Sequence, residues 1–164
     1  MKKLILVLAI LLMAAGSGFC EEPALEKSNI EELKALAHLG DSEAQFNLGL
    51  CYYNGDKVLQ GVATICELSH EQAFYWWQKS AKQGNAMAQY FLSDLYYKGE
   101  GVSVDYVQAY KWCHLSNRLE VAIGSLAAHL LQQIGSKMTE DQIAEAQALA
   151  DAWLKEHQAK QIAN

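Results

Sequence analysis

The chain has 164 residues and is 51% hydrophobic, which is enough for one domain with a continuous apolar core. Its formal net charge is −6, and it has no basic cluster, since Arg118 is its only arginine. This acidic balance argues against nucleic acid as a partner.

Residues 1–20 have the composition of a cleaved secretory signal. Lys2 and Lys3 form a positive start, an unbroken apolar run of 12 residues covers 4–15, and small residues follow before the acidic pair 21–22. A helix needs roughly 20 apolar residues to cross a bilayer, so the run predicts export and no membrane span. We therefore expect a periplasmic or secreted protein, whose charge of −6 becomes −8 when the two lysines are removed.

A lipid anchor at Cys20 is the alternative outcome of export. Phe19 is bulky, however, and it stands where lipid-attachment signals favour a small residue. We assign 21–28 to a short linker, after which the helical part of the chain is expected to begin.

The middle of the chain contains an internal repeat. The segment AQFNLGLCYYNG at 44–55 returns as AQYFLSDLYYKG at 88–99, an offset of 44. Then AFYWWQKS at 73–80 pairs with AYKWCHLS at 109–116, an offset of 36. The first copy thus carries eight extra residues, which lie within an insertion at 56–68. Two similar halves joined by a variable connector are typical of a helix-turn-helix repeat.

Apolar periodicity and capping signals predict helices throughout. Ala44, Leu48 and Tyr52 recur on one helical face. Capping-box start signals occur at Ser28 with Glu31, at Ser69 with Gln72 and at Thr139 with Gln142. We predict about seven helices and no strand, with the helices at 29–39, 42–54, 70–83, 86–98, 105–117, 119–134 and 140–158.

A single helical repeat cannot bury its own apolar face, so successive repeats must stack, and the ends must differ from the middle. We therefore expect an all-α fold, an α-solenoid of antiparallel helix pairs, in a single domain at 29–158. Its parts are a partial leading repeat at 29–40, a repeat with the insertion at 41–84, a repeat at 85–118, a degenerate repeat with a capping helix at 119–158, and a tail at 159–164.

The repeat has a motif that can be compared with known families. The pattern A-x-x-x-L-G-x-x-Y-x-x-G at 44–55, followed by A-x-x-W-x-x-K-S-A-x-x-G at 73–84, resembles the Sel-one-like repeat, a relative of the tetratricopeptide repeat. The second copy departs from it at Ser93, where the family favours glycine, and after Ser116, where the closing element has decayed. The resemblance implies an exported bacterial α-solenoid that binds other proteins.

The helical wheel predicts where a partner would bind. The first helix of each copy has a face separate from its core positions, and in a stacked array such faces line the concave side. The predicted groove residues are Phe46, Leu50, Tyr53 and Asn54 in the first copy and Met87, Tyr90, Asp94, Tyr97 and Lys98 in the second. Phe46 and Tyr90 match in both copies, so packing against the next helix is the alternative for these two.

The insertion and the cysteines allow more than one interpretation. The insertion at 56–68 is apolar enough to fold back over the helix ends, and the alternative is a lip that binds a partner. Cysteines at 20, 51, 66 and 113 allow three complete pairings. We favour a disulfide between Cys51 and Cys66, which would fasten the insertion to the helix before it. The alternative is that Cys51 and Cys113, which align with Leu95 and Trp77, are buried without a bond.

Motifs for catalysis are absent from the sequence. No serine has a lysine three residues later, and the five histidines show no H-x-x-x-H spacing. We therefore predict a non-catalytic scaffold that binds a protein or peptide, with no metal and no cofactor. The alternative is an envelope hydrolase, because a cysteine-rich branch of the family that the repeat resembles carries a β-lactamase label.

Overall fold

The computed structural model describes residues 22–55, 66–119 and 124–163, with the side chains of these residues from Ile30 onward except Leu119 and Ala163. Within these ranges the fold is all-α and has no strand, as predicted. Its helices are α1 Glu22–His38, α2 Ser42–Asn54, α3 His70–Lys82, α4 Ala86–Lys98, α5 Tyr106–Leu119, α6 Gly124–Gly135 and α7 Glu140–Ala163. The predicted signal segment at 1–20, with Cys20, and most of the insertion, at 56–65, lie outside the described residues.

The predicted helix boundaries differ from the observed ones mainly at the two ends of the domain. Helix α1 begins at Glu22, so the segment interpreted as a linker at 21–28 is helical from that residue on. Pro23 is compatible with this start, because backbone N–H groups in the first turn have no intrahelical partner. Helix α7 continues through most of the predicted tail, and Lys160 pairs with Glu156 one turn earlier at 2.8 Å.

Side-chain caps define where the inner helices begin. Asp41 accepts from the backbone N–H of Ala44 at 2.9 Å, and Asn85 repeats this contact on Ala88 at 2.8 Å in the second copy. The predicted caps at Ser69 and Thr139 are present as well. Ser28, by contrast, lies inside α1, so its capping role was predicted wrongly.

Each helix packs against the next from α1 to α6, and the last helix, α7, packs mainly against α5. The buried side chains form three clusters along this stack. The central cluster draws on α2, α3, α4, α5 and α7, and it contains Trp77, Leu92, Trp112 and Ala150. Neighbouring helix pairs therefore shelter each other's apolar faces, as a repeat fold requires.

Two aligned positions show how the copies differ inside this core. A Cβ on Gly49 would collide with the indole of Trp77, so the first copy needs a glycine there. The second copy has Ser93 and Cys113 at the aligned positions, and both are fully buried. Cys113 is smaller than Trp77, so the facing helix has room for Ser93 where the first copy needs Gly49. This explains why the second copy departs from glycine.

A buried glutamine joins each repeat to the helix before it. Gln45 Nε2 donates to the carbonyl of Ala37 at 3.0 Å, and Gln89 Nε2 donates to that of Ala81 at 3.2 Å. These carbonyls belong to the last turns of α1 and α3, and each also accepts a backbone N–H from the turn that follows, from Gly40 at 3.2 Å and from Gly84 at 3.0 Å. These glutamines were not predicted as contacts, although both follow the first alanine of the repeated segment.

The Gly49→Ala variant is predicted to be less stable than the wild type. Overpacking against Trp77 should lower the free energy of unfolding by about 1–3 kcal/mol, although alanine favours a helix by about 1 kcal/mol. Urea unfolding measures the difference, and Ser93→Ala is the matched control because that position already holds a Cβ. A Gly49→Ala protein that unfolds at the same urea concentration as the wild type, or a higher one, would contradict the contact.

Candidate partner-binding face

The predicted groove residues have different surroundings in the structure. Phe46 is only 7% exposed, and its ring lies 5.9 Å from that of Phe91 on α4. Its placement in the groove was therefore wrong, and the packing alternative holds, because successive first helices bury this ring between them. Tyr90 is half-buried against the cluster around Cys113 and lies 5.5 Å from Phe91, so it is partly a packing residue too.

The other predicted residues reach the surface. Met87 and Lys98 are exposed, whereas Leu50, Tyr53, Asn54, Asp94 and Tyr97 are half-buried. Together with Tyr90 and the neighbouring Glu100, they form a surface on α2 and α4 that we call the first-helix face. This surface comprises Leu50, Tyr53, Asn54, Met87, Tyr90, Asp94, Tyr97, Lys98 and Glu100.

Tyr53 is held by contacts on two sides. Its ring lies 5.2 Å from that of Trp77 and 5.1 Å from that of His70. Its hydroxyl donates to Glu100 Oε2 at 3.2 Å, which connects α2 to the turn after α4. The ring is thus fixed before any partner arrives, so binding would cost little side-chain entropy.

The second copy repeats this aromatic arrangement. Tyr97 aligns with Tyr53, and Tyr106 aligns with His70. The rings of Tyr97 and Tyr106 lie 6.0 Å apart, compared with 5.1 Å for the first pair. Each repeat therefore holds one half-buried tyrosine at the end of its first helix against the start of its second helix.

Charged groups of the first-helix face influence one another. Lys98 Nζ donates to Asp94 Oδ2 at 2.6 Å. Burial by itself would lower the pKa of Lys98, but the hydrogen bond and the negative charges of Asp94 and Glu100 raise it overall. Burial raises the pKa of Tyr53, and the carboxylate of Glu100 contributes to the rise. The phenol therefore stays protonated and can donate.

Glu100, in the turn after α4, and His70, at the start of α3, belong to this site but were not predicted from the sequence. Gly101 brings the turn against the start of α3, because its φ is +71° and a Cβ there would collide with the carbonyl of His70. The two glycines around Glu100 were the available signal. They indicate that another backbone segment comes close to this turn, but the sequence does not show which segment it is.

The insertion returns to the helix beside this face. Cys51 and Cys66 form a disulfide with their Cα atoms 5.8 Å apart, which is the pairing that the sequence favoured. The backbone N–H of Ser69 also donates to the carbonyl of Tyr52 at 2.9 Å. The described end of the insertion is therefore fastened to α2 next to Tyr53.

Cys113 is a free cysteine in the core. Burial raises the pKa of its thiol to about 12, and the Sγ donates to the carbonyl of Ala127 at 3.2 Å. A thiol that stays protonated is neither a nucleophile nor a metal ligand at neutral pH. Cys113 therefore packs between α5 and α6 without a disulfide bond. This is the alternative that the sequence analysis gave for it.

The described ranges were compared with the requirements of a metal site and of a membrane span. They contain no group of three or more His, Cys, Asp or Glu side chains placed to hold a metal ion. No helix in the part of the chain that the structure describes is long and apolar enough to cross a membrane.

The repeats that build this face match a known family. A family model for the Sel1 repeat matches residues 42–85 and 86–119, just under half of the chain. The chain contains two Sel1 repeats. Sel1 repeats are generally non-catalytic scaffolds for protein interaction.

Two solved structures have a similar fold. A protective antigen present in uropathogenic Escherichia coli strains, which displays an SLR fold, has a TM-score of 0.67 at 28% identity. A Sel1 repeat protein from Oxalobacter formigenes has a TM-score of 0.55 at 25% identity. The matches cover 90% and 78% of this chain but only 28% and 33% of those chains. These neighbours confirm the predicted all-α solenoid of helix pairs.

A curated plant protein shares the repeats as well. The ERAD-associated E3 ubiquitin-protein ligase component HRD3A of Arabidopsis thaliana is 33% identical over 78 residues. This match covers 45% of the present chain and 12% of the plant protein. The chain therefore spans only a small part of that relative.

The thiol of Cys113 is predicted to resist alkylation in the folded protein. Iodoacetamide at mildly alkaline pH should leave it unmodified, because its pKa of about 12 keeps the thiolate scarce and because burial blocks access. Concentrated urea should make the same thiol react fully. Mass spectrometry of the peptide that contains Cys113 measures both states, and rapid modification without urea would contradict the burial.

Tyr53 is predicted to contribute to stability mainly through its ring. Tyr53→Ala should lower the free energy of unfolding by about 2–3 kcal/mol, below the 3–5 kcal/mol typical of fully buried aromatic residues. Tyr53→Phe keeps the ring and loses only the hydrogen bond to Glu100, so its cost should not exceed about 1 kcal/mol. Urea unfolding compares the variants, and equal losses would show that the ring contacts with Trp77 and His70 do not form.

Proposed function

We propose that this protein is an exported, non-catalytic scaffold that holds a segment of another protein against the first-helix face. The observation that carries the proposal is the matched pair of half-buried tyrosines, Tyr53 and Tyr97. Each lies against the first residue of the second helix in its own repeat, with the Tyr53 ring 5.1 Å from that of His70 and the Tyr97 ring 6.0 Å from that of Tyr106. Tyrosines held in this way offer apolar area and a hydroxyl at a low entropic cost, as anchors of protein recognition do.

The residues that neighbour the tyrosine on each helix differ from one copy to the other. Leu50 in the first copy aligns with Asp94 in the second, and Asn54 aligns with Lys98. A constant aromatic frame with variable neighbours suits a scaffold whose binding specificity depends on the exposed side chains. The proposal of export rests on residues 1–20, whose positive start and apolar run are typical of a signal segment.

Site-specific photo-crosslinking tests where the partner binds. A benzophenone amino acid in place of Met87, which is 36% exposed on the first-helix face, should give a discrete adduct in intact cells. The matched control is the same substitution at Leu149, which is 37% exposed on α7. The proposal predicts an adduct from Met87 and none from Leu149, with the adduct in the exported fraction. An adduct from Leu149 alone, or none from Met87, would refute binding at this face.

A further inference from the structure

Positive charge is distributed unevenly between the two kinds of helix. The first helices of the helix pairs, α2, α4 and α6, contain a single lysine or arginine, which is Lys98. The second helices, α3, α5 and α7, contain six, namely Lys79, Lys82, Lys111, Arg118, Lys155 and Lys160. Among the described residues, the helices that carry the first-helix face are therefore poor in cations.

The one lysine of the described first helices is neutralised within the molecule. Lys98 pairs with Asp94, so the pair adds no net charge to the face. Glu100 accepts a hydrogen bond from the neutral phenol of Tyr53, and Glu43 accepts one from the amide of Asn85 at 3.3 Å. Neither glutamate forms a salt bridge with any described residue. The face consequently presents the carboxylate of Glu100, which has no salt bridge, next to the ring of Tyr53, and Glu43 lies on the same helix as Tyr53.

Lys98 indicates what chemistry this surface accepts. Its ammonium group interacts with the carboxylates of Asp94 and Glu100 and lies within electrostatic range of the Tyr53 phenol. The lysine is 44% exposed, while Asp94 is 19% exposed, so the ammonium group caps the carboxylate from the solvent side. A cationic side chain from outside could make the same contacts if Lys98 turned away.

Other partner chemistries suit the surface less well. A segment rich in Asp or Glu would be repelled by Glu43 and Glu100. A wholly apolar segment could cover Tyr53 and Tyr97, but it would also remove Glu100 from water without a compensating partner, which is costly. A basic segment avoids both penalties, since arginine pairs with carboxylates and also stacks on aromatic rings.

We propose that the first-helix face binds a basic segment of the partner protein, whose arginine or lysine side chains pair with Glu100 and Asp94 and lie over Tyr53 and Tyr97. This inference rests on the proposed scaffold function and names the chemistry of the partner. Lys98 then acts as an internal competitor, because it occupies Asp94 until the partner displaces it.

Binding of defined peptides tests the inference. The probes are short fluorescent peptides of alternating arginine and glycine, with lysine, glutamate and glutamine versions of the same length, measured by fluorescence anisotropy. The arginine peptide should bind best and weaken as salt is added, because the contacts are ionic. In the wild type, binding should perturb the NMR signals of Tyr53 and Tyr97. Equal binding of the glutamate or glutamine peptide would overturn the inference.

Variants of the charged residues locate the contacts. Glu100→Gln and Asp94→Asn should each weaken binding of the arginine peptide by about fivefold or more, as loss of one partner of an ion pair does. Lys98→Met should strengthen it by about threefold, because it removes the internal competitor. Glu156 and Lys160 provide a matched control, since they form an equivalent pair on α7 at 2.8 Å. Glu156→Gln and Lys160→Met should each change the affinity by less than about twofold.

The results separate this inference from the scaffold proposal. If Met87 crosslinks to its partner as strongly in the Glu100→Gln and Asp94→Asn proteins as in the wild type, the scaffold function holds and the basic partner is refuted. Weaker peptide binding by Lys98→Met would also refute it, because the lysine would then be a contact for the partner. If the peptide binds through Glu100 but Met87 gives no adduct, the scaffold proposal is the one that fails. Urea unfolding confirms that each variant is folded, and the wild-type NMR map decides the question for any variant that is not.

Discussion

The packing of Trp77 between α2 and α4 is the contact on which the rest of the structure depends. Its indole N–H donates to the carbonyl of Phe46 at 3.1 Å, and its ring stacks on Phe91 at 4.8 Å. Gly49 leaves room for this ring where any other residue would collide with it. Because Tyr53 packs on the same indole, the core of the first repeat also sets the position of a principal residue of the first-helix face. The first-helix face and the core are therefore connected through the contact of Tyr53 with Trp77.

The two copies keep one backbone arrangement while they exchange the residues inside it. In both, a buried glutamine bonds the last turn of the preceding helix. In the first copy, Gln83 also donates to the Gln45 oxygen at 2.8 Å. The aligned position of the second copy is Leu119, which has no amide donor, and the Gln89 oxygen has no hydrogen-bond partner among the described residues. The second copy therefore retains the hydrogen bond from the glutamine to the preceding helix but lacks the second hydrogen bond to the glutamine oxygen. This is consistent with the decay of its motif.

The first and second helices contribute different side chains to the stack. The second helices bear most of the cations, and α7 closes the central cluster with Ala150 and with Trp153, whose ring lies 6.1 Å from that of Trp112. The first helices bear the tyrosines and the carboxylates of the first-helix face. Since the buried faces maintain the stack, the exposed residues on the opposite side can vary without loss of the fold.

Local patterns in the sequence determined the helices of this protein, their caps and their repetition. The bounds predicted for α2 and α4 are those observed, because apolar periodicity and capping depend on residues three or four positions apart. Only the tertiary structure decided that Phe46 is enclosed and that Glu100 meets Tyr53, 47 residues away in the chain. Such contacts depend on how helices cross and on how closely a glycine lets two backbones approach, which no local pattern encodes.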